Sequence, residues 1–308
     1  MIKINELTTR EGLQLIGKVK TINEGTTNTG NKFLSLSLED ETGAVNAKIW
    51  DAESVNVSLG EIYFFNGAGQ EYRDKLQFII SNFRPITDED NVDIDKFFKT
   101  APMAKAEILS EIKEYVYKID NEVISSIVKT IMNRYANDYM SYPAATQNHH
   151  SYLSGLSFHS MTMLKMADKF LELYPFLDKD YLYAGVLLHD FAKVIELSND
   201  RAPEYTLEGK LVGHLVLGND IINEIAKELG YSEKEEVLLL RHIVLSHHGR
   251  KEWGSPQRPM IAEAEAVHFI DNIDSKFESI RAAFGDTEVK SWTKRIPVLD
   301  GRAIYKHK

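Results

Sequence analysis

The sequence predicts two domains of different class: a small five-stranded β-barrel followed by an all-α bundle. Three observations carry this. Hydrophobic alternation has period two up to about residue 90 and a helical period from about residue 104. Turn-forming residues punctuate the first part at short intervals. All of the ten histidines fall outside the first part, nine of them between residues 149 and 268.

In the first part, the runs LQLIGKVKTI, KFLSLSLED, AVNAKIW, EIYFFNGAGQEY and KLQFIISNFRPI read as strands. Turns are expected at Gly25, around Asn28 and Gly30, at Gly43, at Gly60 and at Arg73-Asp74. Leu34, Leu36 and Leu38 alternate with Ser35, Ser37 and Glu39, so one face of that strand is core and Phe33 belongs to the other. Five short strands with tight turns suggest a closed or half-closed barrel. The acidic stretch ITDEDNVDIDKF then reads as a solvated linker or short helix. The expected boundaries are 1–90 for the barrel, 91–103 for the linker, 104–288 for about seven helices, and 289–308 for a basic tail. That tail holds six Lys/Arg against one Asp, with Trp292 and Tyr305 among them.

Composition excludes several classes of function. Cysteine is absent, which removes disulfide scaffolds, thiol catalysis and Cys-based zinc sites and suits a reducing cytoplasm. No run approaches the roughly 18 apolar residues of a membrane span, and the N-terminus lacks the pattern of a signal peptide. The net charge of −10 gives no global attraction to nucleic acid or anionic lipid. Residues 1–90 alone hold nine Lys/Arg and fourteen Asp/Glu. Polyanion binding therefore needs a local basic patch or bound cations.

The histidines are informative through their contexts. His189-Asp190 interrupts the apolar run LYAGVLLHDFAKVIEL, where a polar pair is costly without partners. A divalent cation is the usual compensation. His159 lies in GLSFHSMTML, His214 in LVGHLVLG, His247-His248 in LLLRHIVLSHHG, and Asp271 in EAVHFIDNIDSK. Separate helices converging side chains on one point is how a bundle builds a metal site. His149, His242, His268 and His307 read as ordinary structural or surface residues.

This ordered set, H…HD…H…HH…D, resembles the HD-domain metal-dependent phosphohydrolase superfamily. With YPAATQNHHSYLSGLSFHSMTML, GVLLHDFAKVIEL, the HHG…GSP…EA…H…D…D segment and LDGRAIYK, nearly the whole chain is similar to the YhaM family of 3′→5′ exoribonucleases. The barrel would then be an OB-fold. Ser154 and Ser160 stand where the pattern leads one to expect Gly and Thr.

The resemblance implies a dinuclear site. His159, His189, Asp190 and Asp271 would hold one ion, and Asp190 would bridge to a second held by His214 and His247. His248 would either join it or face the substrate. A His/carboxylate set suits Mn²⁺, Fe²⁺, Co²⁺ or Ni²⁺ better than Mg²⁺, and the family favours Mn²⁺. Two ions lower the pKa of bound water and neutralise phosphate charge. Lys193, in the HDxxK context, would place a positive charge on a phosphate. His150 would either contact substrate or cap a helix. Residues 249–260, with Arg250, Lys251, Trp253 and Arg258, would be either a phosphate and base clamp or an ordinary loop. On the barrel, Phe33 and Lys32 are candidate contacts for single-stranded RNA, or single-stranded DNA, and the tail is a second candidate. Two other readings stay open here: hydrolysis of free nucleotides or a signalling dinucleotide, and RNA binding without catalysis.

Overall fold

The computed structural model describes residues 1–308 except 28, 53–54, 74, 147–149, 199–200 and 202. The turns expected at Asn28 and Asp74, and His149, lie outside the described residues. The chain forms two compact units, Met1–Lys99 and Thr100–Lys308.

The first unit is a closed five-stranded barrel of β1 (Leu13–Thr26), β2 (Lys32–Asp40), β3 (Gly43–Trp50), β4 (Ile62–Tyr72) and β5 (Lys75–Pro85). The spatial order is β1-β2-β3-β5-β4, with β3 and β5 parallel and the other pairs antiparallel. This is the OB-fold arrangement. The long β1 pairs with β4 through its first half and with β2 through its second, and a register shift between Val19 and Thr21 lets it turn that corner. A second shift falls at Gly67, where a β-carbon would strike the carbonyl of Ile79. The period-two reading holds: Leu34, Leu36 and Leu38 are buried with Leu15, Phe65 and Phe78. Phe33 is on the opposite face beside Trp50, ring centroids 5.3 Å apart.

The stretch expected to link the domains is divided. Ile94–Phe97 forms a 3-10 turn of the first unit, and the ammonium of Lys18 donates to the Phe97 carbonyl at 2.6 Å. Ala101 donates to the Leu153 carbonyl within the second unit.

The second unit contains α1 (Lys105–Tyr117), α2 (Glu122–Arg134), α3 (Ala136–Ser141), α4 (Gly155–Leu173), α5 (Lys179–Leu188), α6 (Lys193–Glu196), α7 (Leu207–Leu211), α8 (His214–Glu228), α9 (Glu235–Ser246) and α10 (Ala262–Gly285). The excess over the seven expected helices comes from α3, α6 and α7, which are too short to show periodicity. The run through His189 and Asp190 is not one helix: α5 stops at Leu188 and α6 begins at Lys193. Residues 182–188 of α5 are all buried, so this helix is the centre of the bundle. The basic tail is folded rather than a free end. β6 (Ser291–Trp292) pairs with β7 (Tyr305–Lys306), Ile296 and Leu299 are buried, and Lys306 donates to the Phe284 and Thr287 carbonyls at the end of α10. No helix among the described residues is long and apolar enough to cross a membrane.

Gly185 sets the position of α5. A β-carbon there would lie 2.9 Å from Ile243 Cγ2 on α9 and 3.0 Å from Val267 Cγ2 on α10. Gly185→Val is expected to destabilise the helical unit by about 1–3 kcal/mol through overpacking. Urea denaturation followed by far-ultraviolet circular dichroism checks this, and an unchanged midpoint would contradict the close approach.

Candidate metal centre

Each candidate ligand sits at a point the local sequence defines. His159 is in the second turn of α4, whose N-cap Ser154 has φ of +62°. That left-handed conformation explains why glycine is expected at this position. His189 is the C-cap of α5 and His247 the C-cap of α9. His214 opens α8 after Gly213, which has φ of +78°. Asp271 lies in the third turn of α10.

The ring nitrogens divide into two roles. His189 Nδ1 donates to the Val186 carbonyl and His247 Nδ1 to the Val244 carbonyl, each at 2.8 Å. These carbonyls belong to the last turns of their own helices, where backbone acceptors lack helical partners. His214 Nδ1 donates to Glu196 Oε1 at 2.9 Å, His248 Nδ1 to the Trp253 carbonyl at 2.9 Å, and His159 Nδ1 to Asp274 Oδ2 at 2.7 Å. Five imidazoles are thus fixed with Nδ1 protonated and Nε2 left for other work, as is usual for histidine ligands.

Those Nε2 atoms form two groups. His159, His189 and Asp271 make one, and Asp190, His214, His247 and His248 make the other. His159 Nε2 is 3.3 Å from Asp271 Oδ1 and 3.3 Å from His189 Nε2. Asp190 joins the groups: Oδ2 is 3.3 Å from His189 Nε2, and Oδ1 is 3.2 Å from His214 Nε2 and 3.6 Å from His247 Nε2. His159, His189, Asp190 and His247 are buried, and Lys193 Nζ lies 2.7 Å from Asp190 Oδ2.

The donor set fits a pair of divalent ions. Asp190 Oδ1, His214 Nε2 and His247 Nε2 are buried without hydrogen-bond partners. A buried unsatisfied polar atom costs roughly 1–3 kcal/mol. Three of them facing one another, all with lone pairs, are electrostatically unfavourable unless a cation lies between. Imidazole nitrogens with carboxylate oxygens and no thiolate are ligands for Mn²⁺, Fe²⁺, Co²⁺ or Ni²⁺.

Electrostatics agree. Burial opposes charge on Asp190, but the neighbouring Lys193 and His189 hold its carboxyl well below the usual range. Burial also opposes charge on Asp271, and His159 overrides it, again lowering the pKa. Burial, with repulsion from His247 and His214, pushes His248 down to about 3, so its Nε2 carries a lone pair at neutral pH. Burial works against a charged His159, yet hydrogen bonds and attraction from Asp271 and Asp274 outweigh it and push it up to about 10.

Several expected residues fall elsewhere. His150, read from the sequence as either a substrate contact or a helix cap, is buried, with Nδ1 2.7 Å from the Tyr152 hydroxyl and Nε2 2.7 Å from Asp274 Oδ2. Arg250 is exposed with its guanidinium stacked 4.8 Å from the Trp253 ring, and Arg258 is exposed. On the barrel Lys32 is exposed, and Lys48 Nζ lies over both Phe33 and Trp50 at 5.1 and 4.9 Å. His268 donates to the His247 carbonyl, and His242 Nε2 accepts from the Met260 amide. Sequence reasoning missed Asp274 and Glu196. Their signals were a second aspartate one helical turn after Asp271 and an acid embedded in FAKVIEL.

A divalent ion held by His159 would have to displace the proton that Asp271 and Asp274 favour there. Affinity is therefore lower at acid pH and rises with pH, by about tenfold per unit while one proton is displaced per ion. Competition titration of Mn²⁺ between about pH 6 and 8 checks this; a flat profile would count against a protonated His159.

Residues 156–276 match the HD domain family. The chain is 40% identical over 291 residues to the 3′-5′ exoribonuclease YhaM of Bacillus subtilis (strain 168), covering 94% of this chain and 92% of that one. It is 40% identical over 308 residues to the 3′-5′ exoribonuclease YhaM of Bacillus licheniformis, covering 99% and 97%. Among solved structures, the second OB-fold domain of replication protein A from Methanococcus maripaludis matches at 24% identity, covering 28% of this chain and 93% of that one with a TM-score of 0.24. Conserved length, identity and the HD match together leave one assignment: the chain belongs to the YhaM family.

Proposed function

We propose that this chain is a metal-dependent 3′→5′ exoribonuclease that removes nucleoside 5′-monophosphates from single-stranded RNA, with two Mn²⁺ ions in its helical unit. The observation that carries the reading is Asp190, buried between two imidazole groups with one oxygen toward each. His159, His189, Asp190 and Asp271 would hold one ion. Asp190, His214, His247 and His248 would hold the other. When bound, the ions supply an activated water and neutralise charge on the scissile phosphate.

The protein's own groups do the rest. Release of a 5′-monophosphate requires breaking the bond between phosphorus and the 3′-oxygen of the penultimate nucleotide. Lys193 is held against Asp190 by a 2.7 Å ion pair, so its ammonium is a fixed positive charge beside the site where phosphate charge develops. Glu196, Asp274 and the helix-end carbonyls keep the imidazoles from turning. Arg250 and Arg258 are cations for the phosphate backbone. On the barrel, Phe33 with Trp50 and Lys48 offers a stacking surface with an adjacent charge, and Lys32 adds another. Stacking tolerates any base, as removal of successive nucleotides requires, and it also admits single-stranded DNA. The absence of cysteine suits work in the cytoplasm. Hydrolysis of free nucleotides is less favoured, since it gives the barrel's aromatic face no task.

With Mn²⁺, 5′-labelled single-stranded RNA is expected to shorten stepwise from its 3′ end, with mononucleotides as product. A variant carrying His189→Ala and Asp190→Ala should bind RNA and leave it intact. Lack of shortening by the pure wild-type protein would overturn the reading, and faster turnover of free nucleotides would favour the alternative. Lys193→Met is expected to lower kcat by about 10²–10³-fold while KM changes by no more than about threefold. A rise in KM alone would reduce Lys193 to a binding group.

A further inference from the structure

His150 has no task in the chemistry above, yet the chain invests in holding it. Its φ is +52°, in the left-handed region where a β-carbon is strained. Its carbonyl accepts from the Ala144 amide, and Gly155 packs so closely on that carbonyl that a β-carbon there would collide. The ring is buried.

The directions of its hydrogen bonds are fixed by elementary chemistry. Ionised Asp274 can only accept, so both imidazoles that meet Oδ2 present an N–H to it. These are His159 Nδ1 and His150 Nε2, each at 2.7 Å. In the neutral imidazole His150 Nδ1 is then an acceptor, and the Tyr152 hydroxyl, 2.7 Å away, donates to it. Two donors from separate segments thus meet one carboxylate oxygen on α10, and one of them is the back edge of a ligand at the metal centre.

We propose that His150 is a positioning residue for the metal centre, acting through Asp274 on His159. This rests on His159 being a metal ligand. A carboxylate held by a single donor turns broadly about χ2. The second donor, itself fixed by Tyr152 and by a constrained backbone, pins Oδ2. That oxygen sets the tautomer and ring plane of His159, and hence the direction of Nε2. His150 touches neither substrate nor ion in this role.

Mn²⁺ titration of the full-length protein without RNA, followed by the electron paramagnetic resonance of free Mn²⁺, tests the proposal. His150→Ala is expected to weaken one of two Mn²⁺ sites by about 10–100-fold and to spare the other. His150→Gln, whose amide N–H replaces the Nε2 donor, is expected to restore affinity to within about threefold of wild type. KM for RNA at saturating Mn²⁺ should stay within about twofold. Wild-type Mn²⁺ affinity in His150→Ala overturns the proposal, as does a raised KM at saturating Mn²⁺, which would make His150 a substrate contact. If His150→Ala fails to fold when thermal unfolding of the metal-free protein is followed, Tyr152→Phe takes its place. A weakened site in that variant supports the proposal, and unchanged affinity overturns it. The readout needs no catalysis. A wild-type protein that binds two Mn²⁺ but leaves RNA intact would sink the exoribonuclease reading and leave this one standing, whereas failure to bind Mn²⁺ would remove both.

Discussion

Asp190 is a carboxylate buried at the end of the most apolar helix in the chain, and the helical unit is arranged around keeping it ionised there. Burial alone would favour its neutral form. Lys193 and the surrounding imidazoles reverse that preference. The reversal depends on distance, and the distances depend on α5 lying close to α9 and α10, which Gly185 permits. The same closeness leaves lone pairs facing one another at Asp190, His214 and His247. Facing lone pairs of this kind are what a divalent cation compensates, and the apolar core holds them in register. Most of the residues that pack α2, α4, α5, α8 and α9 are fully enclosed, which is where that stability comes from.

How much of this was legible in the sequence depends on the kind of signal each feature leaves. The strands were readable because one buried face imposes strict alternation, as at Leu34, Leu36 and Leu38. The polar cluster was readable because His189-Asp190 interrupts an apolar run, and such an interruption demands a partner. The break in the helix at that pair was not readable: the apolar pattern continues through Phe191, Ala192 and Val194, which are buried without being helical extensions of α5. Asp274 and Glu196 were missed because a single acid within a helical repeat looks like part of a solvated face. Only the three-dimensional meeting with His159 and His214 distinguishes them. The partners of His150 were not readable either, since its spacing from His159 says nothing of what its nitrogens touch. The tail's positive charge marked it as a candidate RNA contact, but only Ile296 and Leu299 could have signalled that it packs as a folded segment.

The barrel raises a different balance. Its charge is negative overall, so long-range attraction to a polyanion is weak. What its outer face does present is local: Phe33 and Trp50 in contact, with one ammonium over both rings. A surface of that kind gains from stacking and from a short-range cation, and both survive salt better than diffuse charge attraction.

The caps of α5 and α9 share a device: a terminal imidazole bonded through Nδ1 to a carbonyl three residues earlier in its own helix. Helix ends are normally the first parts of a bundle to fray. Here fraying of the final turn would also release the ring, because the carbonyl that lets go is the one that aims it. The affinity of any ion held by His189 and His247 would then be linked to the integrity of two helix termini. Local melting there would register as release of that ion before the core opens.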